Sequence, residues 1–206
     1  VAVQSKFFAV GSVVPWAKAG VGAVATQSYA NVDYGPDGLE RLAEGQSARE
    51  TVDALTKADA NRRLRQLGIV DAKGRSASFT GSGCKHWAGH IEKPNFCAQG
   101  NILTGEEVVR SMVSGYEQAR KKTGTGLCDW LALALMEGQK AGGDSRGRQS
   151  AALLVVRKNG GYAGGNDRFI DLRVDDHKTP IVELLRLLSI HKKMFRRAHE
   201  NTPKAG

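Results

Sequence analysis

Strand-like and helix-like segments arrive in blocks along this chain rather than in strict alternation, and that order restricts the possible folds more than any single motif. Residues 1–5 and 21–26 are short, apolar and rich in Val and Ala, with Gly and Pro at their bounds, which predicts two buried strands around a turn region at Gly11, Pro15 and Trp16. Leu39 and Leu42 then mark a short helix. Ser47 with Glu50 three residues on forms a capping box that opens a second helix through Val52 and Leu55. Residues 67–70 and 76–80 flank a turn at 71–74 and predict a hairpin, with a further strand at 96–100. Thr104, with Glu107 in the capping-box position, predicts the start of a helix whose stripe is Val108, Val109, Met112, Val113 and Tyr116. Another helix follows Gly124 and Gly126 and carries Leu131, Leu135 and Met136. Strands return at 151–156 and 169–174, and Pro180 opens a last helix through Leu184, Leu188 and His191. Blocks of hairpin-linked strands predict an α+β fold of mainly antiparallel sheets with helices stacked outside them. The expected organisation is a single domain over residues 1–191 with a basic tail at 192–206; no repeat or linker divides it.

The charge balance, 30 Lys+Arg against 21 Asp+Glu for a net +9, asks whether the partner is acidic. Lys192, Lys193, Arg196, Arg197 and Lys204 make the C-terminus positive, but aromatics form only 6% of the chain and do not interleave with these cations as a single-strand platform requires. Nucleic acid is therefore disfavoured and the cations read as a solvated helix end. Three cysteines (Cys84, Cys97, Cys128) form no disulfide framework and fit a reducing, cytoplasmic setting. The apolar start reads as mature protein rather than a signal peptide, because no basic region precedes it and Gln4, Ser5, Lys6, Pro15 and Lys18 interrupt it. No apolar run approaches the ~20 residues of a membrane span, so no membrane partner is expected. Val1 already lies in strand-like sequence, and a segment preceding it is an expectation.

Cys84, His86, His90 and Cys97 have metal-binding chemistry, but their spacing matches no usual zinc pattern, and no metal is expected. Phosphate loops, dinucleotide fingerprints and serine-esterase elbows are absent from the sequence, and no cofactor is expected. The loop at 142–150, Gly-Gly-Asp-Ser-Arg-Gly-Arg-Gln-Ser, sets carboxylate, hydroxyl and guanidinium groups at the entrance to an apolar strand, where they either face a substrate or form a solvated turn. Gln99-Gly100-Asn101 is either a donor set for an oxyanion or an ordinary turn. Asp175-Asp176-His177 reads as a polar lead into the last helix.

The stretches VAVQSKFFAVGSVVPWAKAGVGAVATQ, YGPDGLERL, TGSGC…WAGH, QGNIL, GGDSRGRQSAALLVV and DLRVDDH resemble domain-of-unknown-function family 1028 of bacteria and archaea, and the resemblance extends to about His191. It implies the N-terminal-nucleophile (Ntn) hydrolase fold, a four-layer αββα sandwich whose first strand is missing from this sequence. In such enzymes a leading Thr, Ser or Cys attacks an amide carbonyl while its own α-amino group acts as base. Val1 has no such side chain, so the chain as it stands is expected to be inactive by this route. By analogy, Lys6 or Lys18 would lower the pKa of the amine, Asp144, Ser145 and Ser150 would hold it, and Gly100 and Asn101 would stabilise the oxyanion; Ser5 completes the candidate set. The implied function is an amidohydrolase acting on a small amide or peptide-like substrate, with a homo-oligomer as an expected assembly. The alternative is a non-catalytic ligand-binding or assembly module on the same scaffold.

Overall fold

The structure, a computed structural model, describes residues 1–196. The elements run β1 (Ala2–Ser5), β2 (Pro15–Lys18), β3 (Gly22–Ser28), α1 (Tyr34–Ala43), α2 (Ala48–Ala58), β4 (Arg65–Asp71), β5 (Ser76–Thr80), β6 (Trp87–Lys93), β7 (Phe96–Leu103), α3 (Glu106–Arg120), α4 (Leu127–Lys140), β8 (Ser150–Val156), β9 (Arg168–Val174) and α5 (Pro180–Met194). Among the described residues this is a mixed α+β fold of five helices and three antiparallel sheets, ordered β1-β8-β9, β2-β3-β4-β5 and β6-β7. The block order read from the sequence is the order observed.

Local chemistry accounts for several boundaries. Ser47 Oγ accepts the Glu50 N–H at 3.2 Å while the Glu50 carboxylate accepts the Ser47 N–H at 2.8 Å, so the capping box closes as expected. Four expectations need correction. Pro15 and Trp16 belong to a strand rather than a turn: β2 pairs with β3, with Trp16 opposite Val24, and it forms a sheet edge, where the missing N–H of Pro15 is tolerated. β6 occupies a stretch in which the sequence predicts no strand, and it pairs with β7. Thr104 does not cap α3. Gly105 holds that position without a side-chain bond, and Thr104 lies one residue before it, donating its N–H to Gly143 O at 3.1 Å. Lys192 and Lys193 lie within α5 rather than in a tail, and Arg197 and Lys204 fall outside the described residues.

α1 and α2 pack on one face of the four-stranded sheet around Val24, Leu42, Val52, Leu55, Leu67 and Ile69. Its other face meets β8 through β2 and the β6-β7 hairpin through β4 and β5. α4 and α5 pack on the outer side of β1-β8-β9 around Leu153, Ile170, Leu184 and Leu188, and α3 covers β6-β7 through Ala98, Val109 and Val113. The two smaller sheets thus both lie between the four-stranded sheet and α3 to α5. α3 and α4 approach closely at Gly115 and Gly138, where a Cβ would stand 2.8 Å from Glu137 Cγ and 2.6 Å from Met112 Cγ respectively.

Candidate functional site

Between β1 and β7 lies a cleft of about 570 Å³. Its floor is the four-stranded sheet at Ala23, Ala25 and Gly68, and its roof is α3 and α4, through Val108, Met112, Leu131 and Leu135. Its flanks are two strand edges, since β1 pairs with β8 and β7 with β6, and among the described residues no strand lies between them. Val1 exchanges both backbone hydrogen bonds with Leu154, at 2.8 and 2.9 Å, and Val3 stands opposite Ala152 in the same register. Alternation along an antiparallel ladder then turns the N–H and C=O groups of Ala2 and Gln4 away from β8 and into the cleft. Among the described residues Gln4 Nε2, Gln99 Oε1 and Gln139 Oε1 are buried without a hydrogen-bond partner, and all three residues line the same space. An apolar slot edged by unsatisfied backbone and amide groups is suited to an extended chain.

One end of the cleft is polar. There Ser5 ends β1 opposite Ser150, which begins β8, and the 142–150 loop folds over both. The Asp144 carboxylate accepts the backbone N–H of Lys6 at 3.1 Å, the backbone N–H of Arg146 at 2.9 Å, and Arg146 Nε and Nη2 at 3.0 and 2.7 Å. Burial alone would raise its pKa, but these hydrogen bonds outweigh it and hold the carboxyl below its ordinary value. Two cleft-lining residues, Ser28 and Ile102, adopt left-handed φ angles of 68° and 55°. For a β-branched residue such as Ile102 that conformation is costly. It is held by Ile102 O, which accepts the Ser145 N–H and Oγ–H, and by the Ile102 N–H, which donates to Lys85 O.

The residues singled out from the sequence divide accordingly. Ser5, Gly100, Asn101 and Asp144 line the cleft together. Lys6 contributes its backbone N–H while its side chain is exposed. Lys18 is exposed at the end of β2 and is not part of the cleft lining. Ser145 Oγ is engaged by Ile102 O, and Ser150, fully buried, donates to Phe7 O and accepts the Val10 N–H. Both hydroxyls fasten the loop. Gly100 O accepts from Gln66 Nε2 at 2.8 Å, and Asn101 Nδ2 donates to Gln66 Oε1 at 3.0 Å. Cys84 and His90 are engaged elsewhere, by Arg65 O and Thr80 Oγ1. His177 Nδ1 accepts the Thr179 N–H at the entrance to α5.

Sequence reasoning missed Gln66, whose fully buried amide also donates to Thr80 Oγ1 and Gly89 O and accepts from Gln27. The available signal was an amide directly preceding the apolar run 67–70 of β4. It also did not single out Arg146 from its loop, or Gln4.

A model of DUF1028, a family of unknown function, matches residues 1–184. A crystal structure of a protein from Silicibacter pomeroyi, itself described by the DUF1028 family model, superposes with a TM-score of 0.81 at 26% identity, covering 93% of this chain and 82% of that one. No curated protein matches. Among the described residues no helix is long and apolar enough to cross a membrane.

Proposed function

The chain belongs to DUF1028, a family of unknown function, and on that premise we propose that it is an amidohydrolase of the Ntn type, a four-layer αββα sandwich acting on a small amide or peptide-like substrate. The packing of helices on the outer side of each sheet supports that layering. The observation that carries the reading is the cleft between β1 and β7, whose polar end coincides with the end of β1. A strand running antiparallel to β1 in this slot begins beside Ser5. Its first residue would sit against Asp144 and Arg146, with Asn101 on the opposite wall. Val1 lies at the other end of β1 and has no nucleophilic side chain, so this reading requires a nucleophile carried on a strand placed in the slot.

The chemistry then follows Ntn logic. An α-amine, with an ordinary pKa of roughly 7.7–8.0, takes the proton of the Thr, Ser or Cys side chain as its oxygen or sulfur attacks the amide carbonyl. The carbonyl π pair moves onto oxygen, where Asn101 and neighbouring backbone N–H groups stabilise the charge. Collapse expels the amine leaving group, which takes the proton, and water then hydrolyses the acyl-enzyme. The depressed carboxyl of Asp144 stays ionised at neutral pH and holds the base-bearing terminus in place. Three free thiols fit a reducing, cytoplasmic setting.

The test is to isolate the protein from its native host, determine its N-terminal residue by mass spectrometry, and assay it on an amide library. A leading Thr, Ser or Cys whose replacement by Ala lowers turnover by at least ~10³-fold is the expected result. A native chain beginning at Val1, or unchanged turnover after that replacement, overturns the reading. A ligand retained in the cleft without turnover assigns the protein to the non-catalytic binding or assembly modules instead.

A further inference from the structure

Asp144 fixes Arg146 by one edge and leaves the other open. Arg146 Nε and Nη2 bond the two Asp144 oxygens at 3.0 and 2.7 Å, and Nη2 also approaches Ser5 Oγ at 3.5 Å. Among the described residues Nη1 has no hydrogen-bond partner. Asp144 is buried, with a side chain only 7% exposed, and the backbone N–H groups of Lys6 and Arg146 also hold it, so the carboxylate cannot swing away. The guanidinium, by contrast, is 43% exposed and lines the mouth of the cleft. A guanidinium held side-on by one carboxylate presents two parallel N–H groups, from Nη1 and Nη2, along its free end, and these match the spacing of a second carboxylate.

We propose that Arg146 anchors a carboxylate of the substrate, so that the preferred substrates are amides bearing a free carboxylate near the scissile bond, such as N-acyl amino acids or short peptides with a free C-terminus. This inference rests on the amide-hydrolase reading above. A phosphate fits the site less well for two reasons. Asp144 neutralises much of the cation's field, which favours a monoanion. The loop also offers no cradle of free backbone donors: the N–H groups of Gly143, Ser145, Arg146 and Gly147 are bonded to Gly138 O, Ile102 O, the Asp144 side chain and Asp144 O respectively. Phe7, half exposed on the same rim, supplies apolar surface beside the fork.

The test compares N-acetyl amino acids with their primary carboxamides as substrates for the full-length protein. Wild type is expected to prefer the acid by at least about tenfold in kcat/KM, with the difference in KM. Arg146→Gln should remove the preference for the acid over the carboxamide, whatever its effect on overall turnover, and Arg146→Lys should restore part of it; thermal melts of both variants check the fold. In parallel, the Arg146 Nε–H signal is followed by NMR during titration with N-acetylglycine and with inorganic phosphate, the signal being assigned by its loss in Arg146→Lys. A saturable shift with N-acetylglycine alone is expected. Turnover without acid preference, or an equal response to phosphate, overturns the anchor while leaving the amide-hydrolase reading intact. A saturable shift with no turnover of any amide keeps the anchor and overturns that reading, and neither shift nor turnover overturns both.

Discussion

The four-stranded sheet and the layer facing it handle backbone hydrogen bonding in opposite ways. In the first, β3 and β4 are paired on both sides and the core residues Val24, Leu67 and Ile69 are fully buried beneath α1 and α2. In the second, β1-β8-β9 and β6-β7 leave a slot between them, bordered by open edges, unpartnered amides and left-handed residues. The contrast shows a division of labour. Strain of ~1–3 kcal/mol per residue persists only where the surroundings over-determine it, and the closed half is the surface against which the open half is held. Gln66 is where the two meet, a residue of the closed sheet whose amide reaches Gly89, Gly100 and Asn101 of the open one.

If that division is real, truncations should cost very different amounts on its two sides. Leu67→Ala in the closed core should lower stability by about 3–5 kcal/mol, whereas Leu131→Ala, half-buried in the roof of the slot, should cost about 1 kcal/mol, both read from urea denaturation. Equal losses would erase the distinction. Gln66→Leu should cost about 2 kcal/mol by leaving Gly100 O and its partners unsatisfied, and should speed amide exchange in β6 and β7 more than in β3. Exchange that rises equally in all three strands would mean that Gln66 does not act as a tie between the halves.

Acid should produce the smallest effect. In the closed half, Arg65 beside Asp59, helped by the Asn61 N–H and the Tyr34 hydroxyl, lowers the Asp59 carboxyl from 3.8 to about 2. A depressed folded-state pKa contributes stability that is fully present above the unfolded value near 3.8 and is lost as pH falls toward about 2. Asp144 is shifted in the same direction in the open half. Stability should therefore decline below about pH 4, and Asp59→Asn and Asp144→Asn should each flatten the decline when denaturation midpoints are compared across that range. A slope unchanged in Asp144→Asn would separate the mouth of the slot from the acid response.

The closed half was the more legible in sequence. The Ser47 capping box, the 71–74 turn and the apolar runs on either side carry strong local signals, and local chemistry decides those elements. β2 and β6 were missed because neither carries a clean period: β2 is four residues long and ends in exposed Lys18, and β6 has no fully buried position. Each becomes a strand through its partner rather than through its own pattern. At the site, the polar loop was visible as chemistry, but which of its groups face the cleft depends on long-range bonds such as Lys6 to Asp144 and Ser145 to Ile102. Lys18 looked equivalent to Lys6 in composition, and only the course of β2 separates them.

The depth at which the open edge of β1 lies has a consequence for solubility. Unpaired strand edges on a protein surface act as templates for sheet-to-sheet aggregation. Here the edge is recessed, with α3 and α4 above and the four-stranded sheet below, so it is not laid out on the surface as such a template.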